Sequence, residues 1–146
     1  MQDNGYELTC TWYEDANEKL EPYYTMKQEP RQSYKSMIAG CNIGTPGVLF
    51  DTERVGKKYM PPLRRAEDWG LWMNILKDVD YIYTYPKALW KYRHIPGSET
   101  SNKWVMLKAV VKMYQTVLNM NVVNAWFTGL FIFLPKNIWK KLRKKF

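Results

Sequence analysis

The sequence predicts a mixed α/β fold, on three observations. Short β-branched and aromatic runs recur as strands at Glu7–Tyr13, Pro46–Phe50, Tyr81–Tyr85 and Ala88–Arg93. Between and after them, apolar residues take helical spacing over Glu67–Lys77 and Lys103–Met120. The 146 residues, 46% hydrophobic and 25% charged, make one domain's worth of ordinary globular composition, which excludes a multi-domain machine and a mainly disordered chain.

The elements follow in order. Glu7–Tyr13 has strand composition and is closed by the polar run Glu14–Lys19. Ser33–Ala39 reads as a short helix with Gly40 at its C-terminus. Pro46–Phe50 reads as a buried strand, with Asp51 placed to cap a short helix after it. Glu67 and Asp68 stand before Leu71, Trp72, Ile75 and Leu76, so a helix starts there with acids at the positive end of its dipole and stops near Lys77. Pro86 and Lys87 separate two aromatic runs, an antiparallel pair or adjacent strand segments. A polar loop, His94–Asn102, leads to the amphipathic helix Lys103–Met120, whose broad face holds Trp104, Leu107, Val111, Tyr114 and Leu118.

The end of the chain differs in character. Val122–Leu134 is interrupted only by Asn124, Thr128 and Gly129. As a helix it would span about 20 Å of a bilayer core about 30 Å thick, so it cannot cross alone. After Pro135, Ile138, Trp139, Leu142 and Phe146 fall opposite Lys and Arg, the pattern of a segment lying in a membrane interface. Charge follows the same gradient: residues 1–30 carry net −5, residues 31–99 net +4 and residues 100–146 net +9. The basic tail reads as a solvated arm facing phosphates.

Two cysteines, Cys10 and Cys41, cannot build a disulfide framework and have no metal-ligand spacing, so both read as reduced packing residues. The first thirty residues are acidic and lack an apolar signal region, which puts the expected chemistry in the cytoplasm. There are no internal repeats.

The densest chemistry lies in Arg64-Arg65-Ala66-Glu67-Asp68-Trp69-Gly70-Leu71-Trp72. A carboxylate held ionised there by a helix N-terminus and two arginines suits a general base that takes a proton from an attacking hydroxyl. First-turn acids are equally ordinary helix caps. Asp78-Val79-Asp80 also spells acid-x-acid, but it falls between a helix end and a strand rather than on a rigid metal-binding turn.

In order along the chain, the strand Leu8–Tyr13 with Thr11 and Tyr13, the run Asn42-Ile43-Gly44-Thr45-Pro46-Gly47-Val48 before Leu49-Phe50-Asp51, the group Arg65, Glu67, Asp68, Leu71 and Trp72, and Tyr92-Arg93 followed by Gly97-Ser98 and Ser101-Asn102-Lys103 resemble the family 2 glycosyltransferases. These are inverting enzymes that use a nucleotide-sugar donor. The resemblance covers about Tyr6 to Lys103 and is loose beyond Trp104. It implies a partial A-type glycosyltransferase fold, a Rossmann-like α/β/α sandwich. Residues 1–103 would be the acceptor-side portion and residues 104–146 a helical extension with a membrane-associating tail. Nothing matches the family's nucleotide-binding front part, whose Asp-x-Asp motif holds a divalent metal. Mg or Mn is therefore expected for the complete enzyme, with ligands mainly in that part, and the present chain is expected to be inactive alone.

Carried over by position, the resemblance makes Asp68 the catalytic base, supported by Glu67. Arg93, His94 and Lys103 would meet the donor or its diphosphate. Thr45, Gly47, Arg65 and Trp69 would shape the acceptor or sugar pocket. Ordinary readings stand beside these: a surface histidine at position 94, a buried turn at Thr45–Gly47, and a helix start capped at Ser101. The implied partners are a nucleotide sugar, a glycan or lipid-linked acceptor and the inner face of the cell membrane. The competing class is a non-catalytic peripheral membrane or partner-binding module. Nucleic acid is disfavoured because no recognition module accompanies the lysines.

Overall fold

A computed structural model describes residues 4–95 and 102–143. The elements are β1 (Leu8–Ala16), β2 (Pro22–Met26), β3 (Arg31–Ser33), α1 (Tyr34–Ile38), a 3₁₀ turn (Thr45–Gly47), β4 (Val48–Phe50), α2 (Thr52–Val55), α3 (Glu67–Ile75), β5 (Tyr81–Arg93), α4 (Lys103–Val117), α5 (Val122–Thr128), a π turn (Gly129–Phe133) and α6 (Leu134–Arg143). The fold is mixed α/β, as the sequence predicts.

β1 is the centre of the sheet. It pairs in parallel with β5, from Thr9 opposite Tyr83 to Ala16 opposite Arg93. Its other side is shared by two antiparallel partners: β4 pairs with Leu8–Cys10 and β2 with Tyr13–Ala16. β3 lies antiparallel to the start of β5, with Ser33 opposite Tyr81. The core joins Leu8 and Cys10 of β1 and Ile82 of β5 to Met37, to Trp69, Trp72, Met73 and Ile75 of α3, and to Val110, Met113 and Tyr114 of α4.

Four expectations change. The strand beginning near Glu7 does not end at a polar run; it continues to Ala16, and Asp15 is buried. The two aromatic runs are one long strand, not an antiparallel pair. A single step on β1, Thr11 to Trp12, faces the three-residue step from Tyr85 to Ala88, so Pro86 and Lys87 bulge out of a continuous β5. Pro46 and Gly47 belong to the 3₁₀ turn, and β4 is short, with Leu49 exposed. Finally, α4 is capped by Asn102, whose side chain accepts from the backbone N–H groups of Trp104 and Val105, whereas Ser98 and Ser101 lie outside the described residues.

Two short helices are capped by side chains, the one at Asp51 as expected. Ser33 and Ser36 build a reciprocal capping box at α1, and Asp51 caps α2 by accepting from Glu53 and Arg54. The last carbonyls of α1 have no helical partner of their own. They are met from outside the helix: the Met37 carbonyl accepts from the Gly40 N–H at 3.2 Å and from the Trp69 indole at 3.0 Å, and the Tyr114 hydroxyl donates to the Ile38 carbonyl at 2.6 Å. Burial pushes the Tyr114 phenol far above its usual range, which keeps it a proton donor. The Trp69 and Tyr114 bonds fix α3 and α4 against α1 and so place the start of α3.

Candidate active site

A cavity of about 400 Å³ opens over the start of α3. Glu67, Asp68 and Trp69 contribute from that helix, Arg64 and Arg65 from the segment before it, and Thr45 from the 3₁₀ turn. The opposite wall is apolar, built from Met106 and Val110 of α4 and Phe133 of the π turn, with Asn137 of α6 beside it.

The helix start itself is unusual. Ala66 occupies the N-cap in the left-handed conformation, with φ of 58°, and offers no side-chain cap. A non-glycine residue there is strained, and such strain gathers at functional positions. Asp68 instead takes up a backbone donor, accepting from the Trp69 N–H at 2.7 Å. The Thr45 hydroxyl lines the same cavity and favours the charged form of this carboxylate. Burial raises the Asp68 pKa above its ordinary value, and the neighbouring charge of Glu67 adds to this. The Trp69 and Thr45 donors oppose the shift by stabilising the ionised form. A partly desolvated carboxylate with a raised pKa and a fixed backbone donor can accept a proton from an incoming hydroxyl.

Of the residues singled out from the sequence, Thr45, Arg65, Glu67, Asp68 and Trp69 therefore share one cavity. Trp69 forms its wall and is not an open stacking platform: it is 5% exposed, and its ring packs against Tyr114 and Phe133. Gly47 lines a different contact. A Cβ there would lie 2.3 Å from the Trp90 indole nitrogen and 2.7 Å from the Thr11 hydroxyl, so its lack of a side chain admits Trp90, which stacks on Tyr13.

Arg93, His94 and Lys103 do not line the Asp68 cavity. Arg93 and His94 stand at the end of β5, where His94 Nε2 lies 2.8 Å from the carboxylate of the buried Asp15. The His94 backbone N–H also donates to Ala16, so this residue ties β5 to β1. Lys103 is exposed at the first turn of α4. The sequence reading missed Ile43, Met106, Phe133 and Asn137 as cavity walls. Only the helical phase of Met106 and Val110, four apart on α4, carried any local signal.

The described residues contain no group of three or more His, Cys, Asp or Glu side chains able to hold a metal ion. Asp78 is bound instead to Lys58, and the Asp78-Val79-Asp80 turn brings no further ligand to it.

The chain is similar to a glycosyltransferase. The relative is described as "putative teichuronic acid biosynthesis glycosyltransferase TuaG", from Bacillus subtilis (strain 168), and is 29% identical over 109 residues. The aligned stretch covers 75% of this chain and 42% of that protein, so the chain matches less than half of the relative's length. No family model matches the chain, and no solved structure matches it.

Proposed function

We propose that this chain supplies the acceptor side of an inverting glycosyl transfer, as part of a family 2, A-type glycosyltransferase. The sugar passes from a nucleotide-sugar donor to a hydroxyl of a growing cell-surface polysaccharide, lipopolysaccharide or related glycan. The observation that carries this reading is the Asp68 carboxylate, held by the Trp69 N–H beside Thr45 in a cavity at a helix start, in a chain similar to a protein described as a "putative teichuronic acid biosynthesis glycosyltransferase".

Asp68 takes the proton from the acceptor hydroxyl as its oxygen attacks the anomeric carbon. The nucleoside diphosphate leaves from the opposite face, carrying away the bonding electrons, and the anomeric configuration inverts. Glu67 orients the acceptor, Arg65 adds positive charge at the cavity mouth, and Thr45 holds the base in position. Arg93, His94 and Lys103 belong to the donor side of the reading, away from the Asp68 cavity. The described residues do not make a divalent-cation site. The expected Mg or Mn belongs to the nucleotide-binding half of a complete enzyme, and no step here runs through it.

Peripheral attachment to the cytoplasmic face of the membrane completes the reading. No helix among the described residues is long and apolar enough to cross a bilayer. Val123, Phe127 and Phe131, four residues apart, are all exposed across α5 and the π turn, and they precede the basic run of α6. An apolar stripe followed by lysines suits shallow insertion beside anionic headgroups.

The test is transfer of a labelled sugar by the complete enzyme carrying Asp68→Asn. Transfer should fall at least about a hundredfold while donor binding is retained. Near-normal turnover would remove Asp68 from the chemistry.

A further inference from the structure

A second cavity, of about 510 Å³, lies between the β2–β3 region and α6, and its lining is mixed, about half polar, where the first is largely apolar. It adjoins the Asp68 cavity: Asn137 lines both, while Cys41 faces one and its neighbours Gly40 and Asn42 face the other. The separating segment is braced. Gln28 donates to the Asn42 carbonyl at 2.8 Å, and the Lys136 and Asn137 side chains of α6 lie beside Gly40.

The lining carries a donor with nothing to donate to. Gln32 is 8% exposed, and its side-chain amide nitrogen is buried without a hydrogen-bond partner. An unsatisfied buried donor costs stability, about 1–3 kcal/mol, unless a ligand or water meets it. Around it stand three cations, Lys27, Arg31 and Lys136, against one acid, Glu29. At the rim is Trp139, 64% exposed. An amide donor and excess positive charge favour a carboxylate-bearing polyhydroxyl ligand, and an exposed indole offers an apolar face to a sugar ring.

We propose that this cavity is an acceptor subsite for an acidic sugar unit, placed behind the unit whose hydroxyl reaches Asp68. A glycan passing over Gly40–Asn42 would occupy both cavities, with Asn137 touching each part. The placement rests on the transferase reading given above; the binding of an acidic sugar does not.

The probe is trigalacturonate, titrated into the full 146-residue chain and followed by calorimetry and tryptophan fluorescence, with maltotriose as the neutral counterpart. Trigalacturonate should bind at least about tenfold more tightly than maltotriose, and the double variant Arg31→Ala/Lys136→Ala should erase that preference. Both substituted residues are exposed, so the fold should survive, which thermal unfolding checks. Gln32→Leu should weaken binding about fivefold through the lost amide donor. Equal affinity for the two sugars, or trigalacturonate binding indifferent to the double variant, would overturn the subsite. So would binding of inorganic phosphate or phosphatidylglycerol vesicles with no binding of trigalacturonate. Should the complete enzyme prove unable to transfer any sugar while the double variant still loses trigalacturonate, the transferase reading falls and the acidic-sugar site stands.

Discussion

The Thr45 side chain, on a 3₁₀ turn, lines the same cavity as the carboxylate of Asp68, at the start of a helix 23 residues further along the chain, and favours its ionised form. This arrangement joins two of the segments that carry the glycosyltransferase resemblance. It also makes the acidity of Asp68 depend on a side chain that need not touch the substrate.

Replacing that side chain should therefore move a titration. In Thr45→Val one of the donors that favour the ionised carboxylate is lost, so the Asp68 pKa rises further. In the complete enzyme the acid limb of the kcat/KM profile should shift to higher pH. Activity well above that limb should fall by no more than about tenfold, as expected for one neutral hydrogen bond. An unmoved acid limb would show that Thr45 does not tune the base.

Asp68 should also be visible in the stability of the chain. Its pKa is raised in the folded state from the ordinary 3.8, so the native protein holds this proton more tightly than the unfolded chain. The contribution is fully favourable below the unfolded value and is lost as pH rises through the folded one. Asp68→Asn removes that dependence. The variant should unfold at a higher temperature than the parent at pH 7, and the difference should shrink toward pH 3.5. A difference that stays constant with pH would argue against burial as the cause.

Gly47→Ala should be costly for packing alone. The new Cβ would fall 2.3 Å from the Trp90 indole nitrogen, and a ring stacked on Tyr13 has little freedom to withdraw. A loss of about 1–3 kcal/mol in urea unfolding is expected. A neutral result would mean that the Trp90 ring shifts freely.

The exposed stripe should govern membrane attachment. Val123 and Phe131 are 77% and 66% exposed, so Val123→Glu/Phe131→Glu should change stability by no more than about 1 kcal/mol. Co-sedimentation with phosphatidylglycerol vesicles should drop at least about tenfold, because the change both removes buried apolar area and adds like charge. Unchanged sedimentation would place the attachment elsewhere.

What the sequence revealed follows the range of the forces involved. The short helix near Ser33, the cap at Asp51, the acidic start of α3 and the amphipathic α4 depend on neighbours within a few residues, and these are legible; the Ser33–Ser36 capping box is not. β2 and β3 were not: Pro22–Met26 is exposed except at Met26, and Arg31–Ser33 is too short for any pattern. β2 is held by backbone pairing to β1 across a short turn and β3 by pairing to the distant β5, and backbone pairing leaves no imprint on side-chain periodicity. The sequence leaves β5 open between a paired hairpin and adjacent strand segments because a proline normally ends a strand; the structure shows adjacent segments, joined by a bulge that carries Pro86 outside the ladder. The helix carrying Glu67 and Asp68 could be foreseen; the cavity above it could not, since its apolar wall comes from α4 and the π turn.

The long β5 leaves one more mark. β3 covers only Tyr81–Tyr83, and among the described residues no strand lies against the outer margin of β5 from Tyr85 to Arg93. Amide and carbonyl groups along nine residues are thus offered to whatever extended peptide comes near. Pro86 withholds a donor there, and Lys87, Lys91 and Arg93 would set like charges together if two copies met edge to edge. Neutralising those lysines should turn a well-behaved preparation into one that clumps as it is concentrated.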